Sequence, residues 1–159
     1  MGEGAPARVS IQHILVPHDF SETADHALAY ALGLAQKLGA KVTILHAYEI
    51  PAYGFPEVPA LTLEAAGQIE RGAQSALDAV ARRAQRPGVA VAGVLRHGPA
   101  WSEIDAAAKE SRADMIVLGT HGRRGLARAL LGSVAEKVVR TAPCPVLTVH
   151  VGDVPGASA

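Results

Sequence analysis

A glycine-rich stretch at residues 119–133, GTHGRRGLARALLGS, combines the residue types and the spacing that could do chemistry in this chain. Gly119 and Gly122 are separated by two residues, and nine further residues lead to Gly132-Ser133. An apolar run precedes the stretch and a helical pattern follows it. Glycine lets a backbone approach a phosphate closely, and a helix N-terminus offers free N–H groups and the positive end of its dipole. The stretch therefore predicts an anion site, with phosphate as the expected group.

The charge around this stretch favours the same chemistry. Residues 119–140 hold five basic side chains and one acidic side chain, Glu136, in a chain whose formal net charge is zero. A local basic excess in a neutral protein favours a small anionic ligand, because long nucleic acid usually needs a broader basic face. The basic residues are Arg123, Arg124, Arg128, Lys137 and Arg140.

A second interpretation of the same residues needs no ligand. Ser133-Val134-Ala135-Glu136 has the S-x-x-E pattern of a capping box, in which the serine and the glutamate satisfy backbone N–H groups at a helix start. Gly132 could then serve only to let the chain enter the helix tightly. The pattern by itself leaves both interpretations open.

The composition excludes several classes of protein. The chain has 159 residues, 49% of them hydrophobic and 4% aromatic, which predicts one domain with a core of small aliphatic side chains. Zero net charge gives no long-range attraction to nucleic acid or to a membrane, and we expect neither as a partner. No apolar run is long enough to span a membrane, and the N-terminus lacks the apolar segment of a signal peptide. A lone cysteine, Cys144, favours a reducing, cytoplasmic location.

Five strand patterns alternate with four helix patterns, and together they predict a parallel, doubly wound α/β sheet. The predicted strands are 11–17, 41–48, 89–95, 114–118 and 145–151. The central strands are continuous apolar runs, which is typical of sheets covered by helices on both faces. Ligands of such sheets bind at the carboxyl ends of the strands. We expect the domain to span 10–151, between a flexible N-terminus at 1–9 and a flexible tail at 152–159.

Two common nucleotide motifs are absent from the sequence. There is no G-x-x-x-x-G-K-[ST], which disfavours a P-loop NTPase, and no G-x-G-x-x-G after the first strand, which disfavours a dinucleotide site. The segments that are present resemble the universal stress protein family, and within it the ATP-binding branch with its G-x2-G-x9-G-[ST] signature. The resemblance covers about residues 10–151, and it is carried by Val16–Glu22, Gly119–Gly122, Gly132-Ser133 and Pro143–Leu147.

The resemblance implies a Rossmann-like sheet of order 3-2-1-4-5, a homodimer, and a role for individual residues in binding ATP. Pro17 would shape the floor of the adenine pocket, and Ala47, smaller than the valine common there, would line the adenine. Asp19 would lie near the ribose and the phosphates. The residues implied to hold ribose and phosphates are Leu118, Gly119, Gly122, Gly132, Ser133 and Val134.

Three further expectations come from the residues themselves. Arg123 and Arg124 would contact phosphates because of their charge, and His121 could reach a phosphate or remain a solvated loop residue. Asp19 could instead be a turn residue or the N-terminal cap of the first helix. The seven histidines show no metal-ligand spacing, so a Mg²⁺ or Mn²⁺ ion would arrive with the nucleotide, near Asp19, and be held mainly by phosphates.

The expected function is that of an ATP-binding, nucleotide-dependent regulator or sensor in stress response, acting on an unknown protein partner. Two alternatives stay open: a slow ATP hydrolase or phosphotransferase that uses Asp19, Ser133 or His121, and a stress adaptor that binds no nucleotide. The last strand, 145–151, is apolar and carries no lysine or glutamate. An uncovered edge of that kind is a template for another strand, so the homodimer is expected to form through it. The proline-rich loop 51–59 has no assigned role.

Overall fold

The computed structural model describes residues 9–50, 63–120 and 131–150. In chain order its elements are β1 (His13–Pro17), α1 (Glu22–Leu38), β2 (Lys41–Tyr48), α2 (Leu63–Arg83), β3 (Val91–His97), α3 (Ala100–Ser111), β4 (Met115–Gly119), α4 (Ser133–Thr141) and β5 (Val146–Val149). The strands form one sheet of order β3-β2-β1-β4-β5, and every neighbouring pair is parallel. The predicted fold class and strand order are confirmed.

The sheet is covered on both faces, as its apolar strands predict. Side chains alternate along a strand, so Ile14 and Val16 of β1 pack with helices α1 and α2 on one face, while Leu15 packs with α3 and α4 on the other. All three side chains are buried. Apolar burial of this kind is the main term that stabilises such a domain.

Strand β1 pairs unequally with its two neighbours. It is in register with β2 along its whole length, from His13 opposite Lys41 to Pro17 opposite Leu45. With β4 it pairs only through Ile14 and Leu15. The carboxyl halves of β1 and β4 are therefore not paired, and this unpaired region is called the gap between β1 and β4.

Strand boundaries differ from the predicted ones in β1, β3, β4 and β5, and the starts of β1 and β3 have identifiable reasons. β1 begins at His13 and not at residue 11, because the Asp114 carboxylate accepts hydrogen bonds from the N–H groups of Gln12 and His13, each at 2.9 Å. β3 begins at Val91, because the preceding chain turns through a bridge between Arg86 and Val89. β5 begins at Val146, and position 151 lies outside the described residues.

The helix ends follow local chemistry. Ser21 caps α1 by accepting from the Ala24 N–H at 3.2 Å, and Gly39 closes the same helix in the left-handed conformation (φ 70°). No helix in the described ranges has both the length and the apolar character to cross a membrane. The predicted flexible termini and the 51–59 loop fall mostly or wholly outside those ranges.

Candidate functional site

The gap between β1 and β4 is the point where the strand order reverses, since the chain runs outward to β2 and β3 on one side and to β5 on the other. Ligands of doubly wound sheets bind at such a switch point, outside the carboxyl ends of the strands. Ala47 and Leu118 belong to the α3/α4 face there, and alternation from Leu15 places Pro17 on the same face. Three residues predicted to surround the base and ribose thus lie on one face of the sheet.

The turn that follows β1 is built around His18. Its backbone N–H donates to the Leu45 carbonyl at 2.8 Å, and its side chain is fully buried. The Phe20 N–H donates to His18 Nδ1 at 3.1 Å, so that nitrogen carries no proton and Nε2–H is the donor to Asp25 Oδ1 at 3.2 Å. Burial lowers the pKa of His18 in spite of the opposing effect of Asp25, in keeping with a neutral ring.

Phe20 adopts a backbone conformation that is rare for its residue type. Its φ is 63°, in the left-handed region. Its ring packs against His46 with centroids 4.2 Å apart, and His46 Nδ1–H donates to the His18 carbonyl at 2.7 Å. No role in the site was predicted for His18, Phe20 or His46, because no local pattern in the sequence links the turn after β1 to a side chain of β2.

Asp19 is held in the turn but does not cap the helix. Its Oδ1 accepts from the Ser21 N–H at 3.0 Å and also from the Ser21 hydroxyl. Ser21, not Asp19, is the N-cap of α1. The interpretation of Asp19 as a turn residue is confirmed and its interpretation as a cap is wrong. The carboxylate is therefore oriented by its own turn at the carboxyl end of β1.

At the end of β4, Gly119 is required by packing. A Cβ atom there would lie 2.7 Å from Thr23 Cγ2 and 2.8 Å from the Thr23 carbonyl oxygen of α1. The next residue, Thr120, is 1% exposed and donates its N–H to the Val149 carbonyl at 3.2 Å. Its own carbonyl accepts from the Gly132 N–H at 2.7 Å. The two ends of the glycine-rich stretch are thus joined directly by a backbone hydrogen bond.

Helix α4 begins without a side-chain cap. Its N-cap is Gly132 (φ −60°, ψ 151°), and no side chain in the described ranges caps the first turn. The predicted capping box is wrong, because Ser133 is the first helical residue and stands one position too late to be the cap. Ser133 and Val134 are exposed. Among the described residues, no side chain therefore competes with a ligand or water for the N–H groups of this first turn.

The remaining predicted contacts cannot be placed. His121, Gly122, Arg123 and Arg124 lie outside the described residues. Within the described ranges, no group of three or more histidine, cysteine, aspartate or glutamate side chains could hold a metal ion. The described part of the site consists of the Asp19 turn, the ends of β2 and β4, and the start of α4.

Comparison with known proteins agrees with this geometry. The universal stress protein family matches residues 10–150. A universal stress protein of Methanocaldococcus jannaschii is 36% identical over 137 residues, which cover 86% of this chain and 80% of that protein.

Solved structures give the same result. The universal stress protein UspA from Lactobacillus plantarum is 30% identical, with a TM-score of 0.73 over 88% of this chain and 98% of that one. A universal stress protein crystallised in complex with cAMP is 27% identical, with a TM-score of 0.59 over 89% and 98% of the two chains. By sequence and by fold, the chain belongs to the universal stress protein family.

Proposed function

We propose that this protein binds an adenine nucleotide, with ATP as the principal ligand, in the gap between β1 and β4. The observation that carries the proposal is the uncapped start of α4 at Gly132, tied by its N–H to Thr120 at the end of β4. Free helical N–H groups at a switch point suit a phosphate. A family member crystallised with cAMP supports the choice of an adenine nucleotide.

Each part of the ligand has a proposed contact. The adenine packs on the α3/α4 face against Pro17 and Ala47, and the ribose meets Asp19 and the backbone of Leu118 and Gly119. The phosphates take the N–H groups of the first α4 turn, at Gly132, Ser133 and Val134. From the sequence pattern, His121, Gly122, Arg123 and Arg124 complete the phosphate site.

A Mg²⁺ or Mn²⁺ ion would accompany the nucleotide. Asp19 is the acidic side chain of the turn, and its Oδ1 already accepts two hydrogen bonds from Ser21. A single carboxylate that already accepts two hydrogen bonds would supply few ligands, so the cation would be held mainly by phosphate oxygens and waters. This is a usual arrangement for Mg²⁺.

The proposed role is that of a regulator or sensor in stress response. Nucleotide binding would change the surface that the site offers to a protein partner. The described residues hold a single, free cysteine, Cys144, which fits the cytoplasm. This role depends on nucleotide binding, which is therefore the first property to test.

Replacing Gly132 with valine tests the site. Valine adopts φ −60° and ψ 151° without strain, and we expect its side chain to occupy the space proposed for phosphate. We expect ATP affinity to fall tenfold or more, about 1.4 kcal/mol. Calorimetry with ATP measures it, and Gly72→Val, at an exposed α2 position with no atom within 4 Å of the added Cβ, is the matched control. Unchanged affinity in a folded Gly132→Val variant would exclude the site.

We also propose a homodimer through strand 145–151. In the described sheet β5 pairs with β4 alone. The Ile116 N–H donates to the Pro145 carbonyl and the Thr120 N–H to the Val149 carbonyl. Backbone groups alternate in direction along a strand, so the Thr148 N–H points to the open edge.

Thr148→Pro therefore removes an edge donor without breaking the β4 ladder, and we expect it to shift the protein to a monomer in light scattering. Val149 is unsuitable for a lysine substitution, because it is 2% exposed and belongs to the α1/α2 core. A monomeric unmodified protein at tens of micromolar contradicts the dimer but leaves the nucleotide site untouched.

A further inference from the structure

The turn between β1 and α1 holds an aromatic residue in a conformation that it does not favour. Phe20 has φ 63°, where the Cβ of an L-residue is crowded by its own backbone. Such conformations persist when surrounding contacts over-determine them, and they are concentrated at ligand sites. The contacts that fix Phe20 are therefore part of how the site is built.

His18 is at the centre of those contacts. Its Nδ1 accepts the Phe20 N–H at 3.1 Å, its carbonyl accepts His46 Nδ1–H at 2.7 Å, and its N–H is bound to Leu45 at 2.8 Å. The His46 ring in turn packs on the Phe20 ring, 4.2 Å between centroids. The His18 side chain is fully buried, so its orientation is fixed by packing as well as by these bonds.

Asp25 fixes which ring nitrogen can accept. Its Oδ1 accepts a hydrogen bond from His18 Nε2–H at 3.2 Å and lies 3.8 Å from the guanidinium of Arg83 in α2. Because Nε2 keeps its proton, Nδ1 remains the acceptor for Phe20. The two nitrogens have separate tasks: Nε2 sets the tautomer and Nδ1 holds the turn.

We propose that His18 is a positioning residue of the nucleotide site: by accepting the Phe20 N–H at Nδ1, it holds the left-handed turn that sets the Asp19 carboxylate against the ribose. Asp19 lies between the two residues joined by this bond, and its Oδ1 is anchored to Ser21 immediately after them. Loss of the Nδ1 acceptor releases Phe20 toward ordinary φ values and turns Asp19 away. This inference rests on the proposed function, since it assigns a task within that site.

Two substitutions at His18 separate its nitrogens. In His18→Asn the amide oxygen can stand in for Nδ1 and keep the Phe20 bond, whereas the longer side chain of His18→Gln can reach the Nε2 position and keep the Asp25 bond. The measurement is the ratio of affinities for ATP and for 2′,3′-dideoxy-ATP, which lacks the ribose hydroxyls. A merely structural role would weaken both ligands together and leave this ratio unchanged.

We expect unmodified protein and His18→Asn to prefer ATP about tenfold, the worth of a hydrogen bond to a charged group. In His18→Gln the two affinities should converge, because only ATP has the ribose hydroxyls that Asp19 would contact. Adding Phe20→Gly to His18→Gln should restore the preference, because glycine adopts φ 63° without steric cost.

The outcomes distinguish this inference from the proposed function. If the unmodified protein binds neither ligand, the nucleotide site itself is excluded. If it prefers ATP and His18→Gln prefers ATP equally, only the positioning role fails. A readout without any variant is the ¹⁵N–¹⁵N scalar coupling between the Phe20 amide and His18 Nδ1 in ligand-free protein. Its presence supports the bond, and its absence would overturn the proposal even if His18→Gln does not fold.

Discussion

Strand β1 has a buried histidine at each end, and the two rings are opposite tautomers. At the amino end, His13 Nδ1–H donates to the Ser111 carbonyl at 3.3 Å, and Nε2 lies 2.8 Å from the Thr43 hydroxyl. That ring joins β1 to β2 and to the end of α3. At the carboxyl end, His18 binds the residue two positions further along its own chain.

This difference separates packing from function along a single strand. The amino end connects three elements, and its hydrogen bonds add directly to stability; the left-handed residue near it, Arg112 (φ 51°), ends α3 as its C-cap. The carboxyl end uses a comparable set of bonds to maintain the left-handed Phe20, which costs free energy. In doubly wound sheets the ligand binds at the carboxyl ends of the strands, and the left-handed Phe20 lies at that edge.

The largest expected effect is a loss of stability at the carboxyl end of the sheet, where Gly119 is needed for packing. It shows that the division between a packing end and a functional end is not complete. Gly119→Ala places a Cβ less than 3 Å from both the side chain and the backbone of Thr23. Since a helix backbone yields little, we expect the free energy of unfolding to fall by about 3 kcal/mol. Urea denaturation measures it. The control is Gly72→Ala, which meets nothing within 4 Å and should stabilise α2 by about 0.5 to 1 kcal/mol. Equal effects at the two glycines would contradict the packing requirement.

A crossed pair of aspartate substitutions tests the two ends directly. Asp114→Ala removes the acceptor of two N–H groups at the amino end and should lower the free energy of unfolding by about 1.5 kcal/mol. ATP affinity should change by no more than about twofold, because Asp114 lies at the amino end of β1 and the proposed nucleotide site lies at the carboxyl end. Asp19→Asn keeps an oxygen for Ser21 but loses the charge, so it should weaken ATP binding and shift its Mg²⁺ dependence while stability changes by less than about 0.5 kcal/mol.

Urea denaturation gives the free energy of unfolding of each aspartate variant, and calorimetry gives its affinity for ATP. The separation fails if Asp114→Ala weakens ATP binding as much as Asp19→Asn does, or if Asp19→Asn binds ATP like the unmodified protein at every Mg²⁺ concentration.

The smallest expected effect is a pH dependence shared by both ends. Burial lowers the pKa of His13, helped by Lys41, and burial lowers the pKa of His18 against the effect of Asp25. Both rings are neutral above the ordinary histidine pKa of 6.5, where stability is complete. As pH falls through 6.5, the unfolded chain takes up protons before the folded one, so stability is lost until the folded pKa values are passed. The urea midpoint should therefore fall on acidification from neutral pH, and less so in His13→Gln or His18→Asn. A urea midpoint that rises on acidification would contradict the lowered pKa values of the two histidines.

The sequence predicted the layout better than the turns. Apolar runs separated by helical patterns were enough for the α/β sheet, and the family resemblance supplied its order. The start of β1 was misplaced because it depends on Asp114, which is 101 residues away from His13 in the chain. The capping box failed because S-x-x-E fits equally well when the serine is the first helical residue. No local signal marks Phe20 as left-handed, since His46 from the next strand helps to hold it.

The hydrogen bond between Gly132 and Thr120 has a consequence for protein engineering. It brings the ends of the eleven-residue segment 121–131 together within the rigid frame of β4 and α4. Loop-closure entropy rises only with the logarithm of length, so doubling such a segment costs about 0.6 kcal/mol. A longer sequence placed between Thr120 and Gly132 is thus expected to leave the stability of the sheet nearly unchanged as long as this backbone bond is kept.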